Sequence, residues 1–113
     1  MRGGFETTVE HLDGGAVSVA LRGELDLDHA YDFDTQLRRL EARRPRCLVL
    51  DLRALTFLDS SGLARLLAAR RRARKDHRRL VLVRGPAAVQ RLFALTALDE
   101  QFEIVNDAAV LSR

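Results

Sequence analysis

The chain has 113 residues, 47% of them hydrophobic and 31% charged, with a formal net charge of +3. That length is typical of one domain with one core, and no apolar run approaches the ~20 residues a membrane-spanning helix needs. Met1-Arg2-Gly3-Gly4 has no apolar signal core behind it and Cys47 is the sole cysteine, so an internal disulfide is excluded and a cytoplasmic protein is expected.

Phe5, Thr7, Val9 and His11 alternate with polar residues, Asp13-Gly14-Gly15 supplies a turn, and Val17, Val19 and Leu21 alternate again, which predicts a β-hairpin. The segment Gly23 to Asp28 is expected to open a helix. In it Ala30, Phe33, Leu37 and Leu40 recur at i, i+3, i+7 and i+10, with Asp26 or Asp28 as the cap and Arg38 and Arg39 in the last turn. Pro45 stops this helix. Arg46 to Leu52 then reads as a strand buried on both faces, because Leu48, Val49, Leu50 and Leu52 form a nearly unbroken apolar run. Cys47, at its head, reads as a buried, inert thiol. A short apolar stretch through Phe57 and Leu58 leads into Asp59-Ser60-Ser61-Gly62, after which Leu63, Leu66 and Leu67 recur at helical spacing. A strand over Leu80 to Val83, a helix after Gly85-Pro86 containing Val89, Leu92 and Phe93, and a short strand around Phe102 to Val105 complete the pattern. Strands alternating with helices imply parallel pairing through helical crossovers, so the class is α/β with one antiparallel hairpin strand, a single domain over residues 1–113.

The two serines stand where a buried strand hands over to an amphipathic helix. Asp and Ser oxygens accept from the orphan N–H groups of a first helical turn, and capping worth about 1 kcal/mol accounts for such a pair by itself. The same place also suits a modification. A phosphate on Ser60 is favoured by the helix dipole, yet adds roughly −1.5 to −2 charges beside Asp59, enough to change a docking surface without unfolding the domain. Open α/β sheets carry their working loops at the carboxyl ends of the strands, and both Gly23-Glu24-Leu25-Asp26 and Asp59-Ser60-Ser61-Gly62 fall there. If their strands are neighbours, Asp26 and Ser60 share one edge.

An active site is not expected. Of the three histidines, His11 belongs to the hairpin, His77 lies near the far end of the Ser60 helix, and only His29 is placed to approach Ser60. There is no G-x-S-x-G elbow, no P-loop and no Cys/His cluster at metal spacing, so neither cofactor nor metal is implied. Lys75 is the only lysine among 19 basic residues, and the densest basic run is Arg70 to Arg79. Arg71, Arg72 and Lys75 fall away from the Leu63, Leu66, Ala73 stripe near a helix C-terminus, where cations are stabilising. A solvated face is therefore expected there rather than a phosphate-binding surface, and aromatics are too sparse for nucleic-acid stacking.

Asp59-Ser60-Ser61-Gly62-Leu63 after a hydrophobic strand, with Gly23-Glu24-Leu25-Asp26 after an earlier one, resembles the STAS domain, specifically the single-domain bacterial anti-sigma factor antagonists. Pro86 to Phe93 resembles the family segment in which a proline opens the next helix and a Leu-Phe pair closes its apolar face. The resemblance implies a mixed, mostly parallel sheet of about five strands with an N-terminal antiparallel hairpin and about four helices. It implies that the unphosphorylated protein binds an anti-sigma factor with a Bergerat-type ATP-binding kinase fold and so frees the sigma factor. It also implies that the kinase phosphorylates Ser60 to break the complex and that a serine phosphatase restores it, with no direct role for nucleic acid or membrane. On that reading Glu24, Asp26, Asp28 and Asp59 give the docking edge negative charge, Ser61 and Gly62 allow close backbone approach, and Leu63 is a small apolar anchor. The same fold also serves constitutive adaptor subunits of membrane transport or lipid-transport assemblies. Two departures stand out: the turn before Leu80 lacks the usual glycine, reading Lys75-Asp76-His77-Arg78-Arg79, and the last segment, from Asp107 to Leu111, is short for a final helix.

Overall fold

The computed structural model describes residues 3–107, and its organising element is one long central strand. Strand β1 (Phe5–His11) turns through Asp13–Gly15 into β2 (Ala16–Leu25), followed by α1 (Leu27–Glu41), β3 (Cys47–Leu58), α2 (Ser60–Lys75), β4 (Arg79–Val83), α3 (Ala87–Leu95) and β5 (Glu103–Val105). The strands lie in chain order, β1-β2-β3-β4-β5, with β1 antiparallel to β2 and the other pairs parallel. The described residues hold three α-helices; the segment from Ala108 to Leu111 falls outside them.

Val49, fully buried between β2 and β4, confirms the strand expected to be covered on both faces. Leu48, Leu50 and Leu52 of β3 meet Phe33 and Leu37 of α1, Leu63 and Leu66 of α2, and Val89 and Phe93 of α3 in one core. Cys47 is half-buried at the head of β3, and burial pushes its thiol up, which keeps it protonated at neutral pH.

Two expectations change at the carboxyl end of the sheet. Gly23-Glu24-Leu25 does not open a helix; it continues β2, and the helix begins only after Asp26. Correspondingly β3 does not stop at Leu52 but runs to Leu58. The cause is bulging: β3 gains one residue on β2 between Ala20 and Arg22 and another between Gly23 and Glu24, so its buried residues shift to a spacing of three at Leu52, Leu55 and Leu58. Gly23 holds φ at 98°, and a Cβ there would lie 2.1 Å from the Gly4 carbonyl oxygen, so β1 and β2 close only over a glycine.

The face of α2 expected to be solvated is not wholly so. Arg71 and Lys75 are exposed, but the Arg72 side chain is only 18% exposed. Its Nε and Nη2 donate to Glu41 at 2.6 and 3.0 Å, and its Nη1 donates to Asp34 at 3.1 Å. Arg38 also donates to Asp34, at 2.9 Å. Burial works against the Asp34 charge, but the Arg38 and Arg72 guanidinium groups outweigh it and hold the carboxyl below its usual range. These pairs tie α1 to α2 along the flank of the core.

Candidate functional site

The starts of α1 and α2 meet at the carboxyl edge of the sheet, and one side chain binds them together. Asp59 sits in extended conformation before α2 and caps it, its Oδ1 accepting from Gly62 N at 3.0 Å. Its Oδ2 accepts from Leu27 N, the first residue of α1, at 3.1 Å. Asp26 caps α1 from the other side: its Oδ1 accepts from His29 N at 3.2 Å and lies 2.7 Å from His29 Nδ1. Of the two cap candidates, Asp26 takes the role, and Asp28 is an acid of the first turn. Gly62 is required by space, since a Cβ on it would lie 2.4 Å from the Leu25 carbonyl oxygen. The end of β2 therefore presses directly on the first turn of α2.

Ser60, the first residue of α2, is exposed, and with Asp59 acting as the cap its hydroxyl has no hydrogen-bond partner among the described residues. Ser61 is half-buried behind it. The adjacency of β2 and β3 brings Glu24, Asp26, Asp28, Asp59 and Ser60 to one edge, as the motif positions implied. Asp26 is buried there, whereas Asp28 is exposed. Leu63 is corrected by the structure: at 6% exposure it belongs to the core and is not available as a surface anchor. Gly62 is likewise buried, and the close approach it permits is to Leu25 of the same chain.

The exposed apolar groups of this edge are Leu27, 72% exposed, Tyr31 one turn later, and Phe57 beside Glu24. Sequence reasoning passed over them. Leu27 and Tyr31 are four apart and off the Ala30, Phe33, Leu37 stripe, which is the signal that marks them as outward-facing.

The site can present a hydroxyl but holds no assembled base for it. His29 is committed through Nδ1 to Asp26 and packs against Phe5, ring centroids 5.8 Å apart. Among the described residues no group of His, Cys, Asp and Glu is disposed to hold a metal ion. No described helix is long and apolar enough to cross a membrane.

A five-stranded mixed sheet with a capped, serine-bearing helix start after its central strand defines a STAS domain, and the chain belongs to that family: the family model described as Mlab, STAS domain matches residues 9–106. Among particular relatives, the chain is 31% identical over 100 residues to the anti-sigma-F factor antagonist RsfB of Mycobacterium tuberculosis, covering 88% of this chain and 80% of that one. It superposes with a TM-score of 0.84 on the crystal structure of an anti-sigma factor antagonist from Mycobacterium paratuberculosis, at 32% identity over 92% of this chain and 87% of the other. The anti-sigma factor antagonist SpoIIAA shares the fold in its unphosphorylated form, with a TM-score of 0.80 at 19% identity over 96% and 95% of the two chains, and in its phosphorylated form, with 0.74.

Proposed function

We propose that this protein is an anti-sigma factor antagonist, a binding module whose unphosphorylated form docks on an anti-sigma factor serine kinase and releases the sigma factor, and which phosphorylation of Ser60 switches off. The observation that carries the reading is the exposed, unbonded Ser60 hydroxyl at the head of α2, relieved of capping duty by Asp59. The likeness to antagonists from two mycobacteria supports it. Glu24, Asp26, Asp28 and Asp59 make the edge acidic, and Leu27, Tyr31 and Phe57 supply the apolar contact in place of Leu63.

In the transfer, Ser60 Oγ attacks the γ-phosphorus of ATP held by the kinase. The new O–P bond forms as the bond to the β-phosphate oxygen breaks, ADP leaves, and the hydroxyl proton passes to a base of the kinase. Metal and catalytic groups belong to the partner, because this chain contributes positioning alone. The phosphate settles at a helix N-terminus, where the Ser60 and Ser61 N–H groups have no other acceptor and the dipole favours negative charge. Folding is therefore preserved, while added charge beside Asp59 repels an ATP-bearing partner. A serine phosphatase resets the switch, which operates in the cytoplasm.

The test is to incubate the protein with ATP, Mg²⁺ and an ATP-binding anti-sigma factor from the same genome, locate phosphate by mass spectrometry, and measure affinity before and after. Phosphate on Ser60 with loss of binding is expected, and Ser60→Ala should bind but resist phosphorylation. The second reading, a constitutive adaptor of a membrane-associated assembly, is favoured by the same exposed Leu27, Tyr31 and Phe57. It prevails if Ser60 stays unmodified or if its phosphorylation leaves affinity unchanged.

A further inference from the structure

Asp59 differs from an ordinary helix cap in serving two helices at once. Its Oδ1 accepts from Gly62 N at 3.0 Å and closes the first turn of α2, while its Oδ2 accepts from Leu27 N at 3.1 Å, the first residue of α1 and 32 positions earlier in the chain. Capping needs the first bond alone. The second is a matter of placement, because α1 already has its own cap in Asp26, whose Oδ1 accepts from His29 N, and Leu27 N–H is a first-turn donor that water would otherwise satisfy. The backbone approaches at the same point, with Asp59 N donating to Leu25 O at 3.4 Å and Leu63 N to Asp59 O at 2.9 Å.

Two parts of the acidic edge are set by that bond. Ser60, which presents its hydroxyl, directly follows Asp59, whereas Leu27 and Tyr31, the exposed apolar groups, stand on the first two turns of α1. A helix start whose orphan N–H groups go unmatched is prone to fray. The far ends of α1 and α2 are already tied by Arg72, through Glu41 and Asp34, and Asp59 is the matching tie at the near ends. With both in place, the separation between the apolar grip on α1 and the hydroxyl on α2 is fixed before a partner arrives.

We propose that Asp59 is a positioning residue for phosphoryl transfer to Ser60: its two-point hold on Gly62 and Leu27 sets the Ser60 hydroxyl at one place relative to the α1 surface on which the kinase docks. This role presupposes the kinase-substrate reading proposed above and names the residue that aims the acceptor. Transfer is steep in geometry, since Oγ must stand about 3–3.5 Å from phosphorus and in line with the leaving oxygen, and a misplacement of about 1 Å costs up to about a hundredfold in rate. Base and metal belong to the kinase on that reading, so placement is this chain's share. Loosening the hold slows transfer without weakening docking, because the apolar groups on α1 are untouched.

The test compares steady-state phosphorylation of the full chain by an ATP-binding anti-sigma factor from the same genome, with ATP and Mg²⁺, for the parent, Asp59→Asn and Asp59→Glu. Asn caps a helix as well as Asp, so Asp59→Asn keeps an oxygen for Gly62 N but turns an amide donor toward Leu27 N, whereas Asp59→Glu keeps the charge and loses the short reach. Both should lower kcat about tenfold to a hundredfold and leave KM for the protein within about twofold, as expected when a group is needed in the transition state alone. The Leu27 amide proton, held downfield by a carboxylate, should move upfield in Asp59→Asn while that of Val49 in β3 stays in place, which reports the tie opened in a folded protein. Restored kcat in Asp59→Glu assigns the effect to charge, and a raised KM at constant kcat assigns it to docking. Either result, an unchanged kcat in Asp59→Asn, or an unmoved Leu27 proton overturns the positioning role and leaves the Ser60 reading intact. A parent chain that acquires no phosphate on Ser60 overturns both.

Discussion

The two ends of the sheet carry opposite chemistry. At the carboxyl end the starts of α1 and α2 meet, and acids cap them: Asp26 and Asp59 accept N–H groups, and Asp26 holds His29. At the amino end the same helices finish among Arg43, Arg44, Arg74 and Arg78. Parallel topology imposes this sorting, since helices returning antiparallel to the strands present all their positive dipole ends on one side and all their negative ends on the other. Charge of the compensating sign is therefore expected at each end on stability grounds alone. What compensation leaves over is informative: one hydroxyl with nothing to bond at the acidic end, and one buried guanidinium, that of Arg78, with too few acceptors at the basic end.

Substitutions can break this contrast or sharpen it. The most damaging is Val49→Asp, which places an unpaired charge at a fully buried position between the two ends and should cost several kcal/mol, abolishing a cooperative thermal melt. Arg72→Ala comes next. It leaves Glu41 and Asp34 without their strongest cation and should cost about 2–4 kcal/mol by urea denaturation. Because the folded Asp34 carboxyl titrates below its unfolded value, its contribution is complete above about pH 4 and is lost as pH falls through the folded value. Stability measured toward acid should thus decline more gently in Arg72→Ala than in the parent. Gly62→Ala should cost about 1–3 kcal/mol, since the new methyl meets the Leu25 carbonyl. Asp59→Ala removes a cap and the link to Leu27 and should cost about 1 kcal/mol. Ser60→Ala should change stability by no more than about 0.5 kcal/mol, and a larger loss would mean that the hydroxyl has a structural duty after all.

Much of this arrangement was legible in the sequence. Alternation in Val17, Val19 and Leu21 and helical spacing in Phe33 and Leu37 follow from burial on one face, and the structure buries all five. The extensions of β2 and β3 were not legible, because two bulges replace period two with a spacing of three, and Leu52, Leu55 and Leu58 then resemble no strand. Arg72 was misread for another reason: its partners are 31 and 38 residues away on α1, and no local periodicity reports a pairing that only helix docking creates. Leu63 was set on the apolar stripe of α2 by its spacing from Leu66 and Ala73, and the core holds it there; only the family resemblance made it a surface anchor.

The departure noted before Leu80 also finds its place, since His77 adopts there the left-handed conformation that a glycine supplies without strain. The position is occupied at some conformational expense, in the loop between α2 and β4.

The length of β3 has a consequence for the molecule as a mechanical object. At about 3.3 Å per residue its 12 residues have a length comparable to the 39 Å longest extent of the molecule, with Arg46 just before one end and Asp59 just after the other. This one strand, paired with β2 along most of its length and with β4 over Cys47 to Asp51, is the shaft on which both terminal surfaces are mounted, so events at one tip do not crowd the other. Changes at Ser60 and at Arg78 should then behave as separate dials, their free energies adding in a double variant.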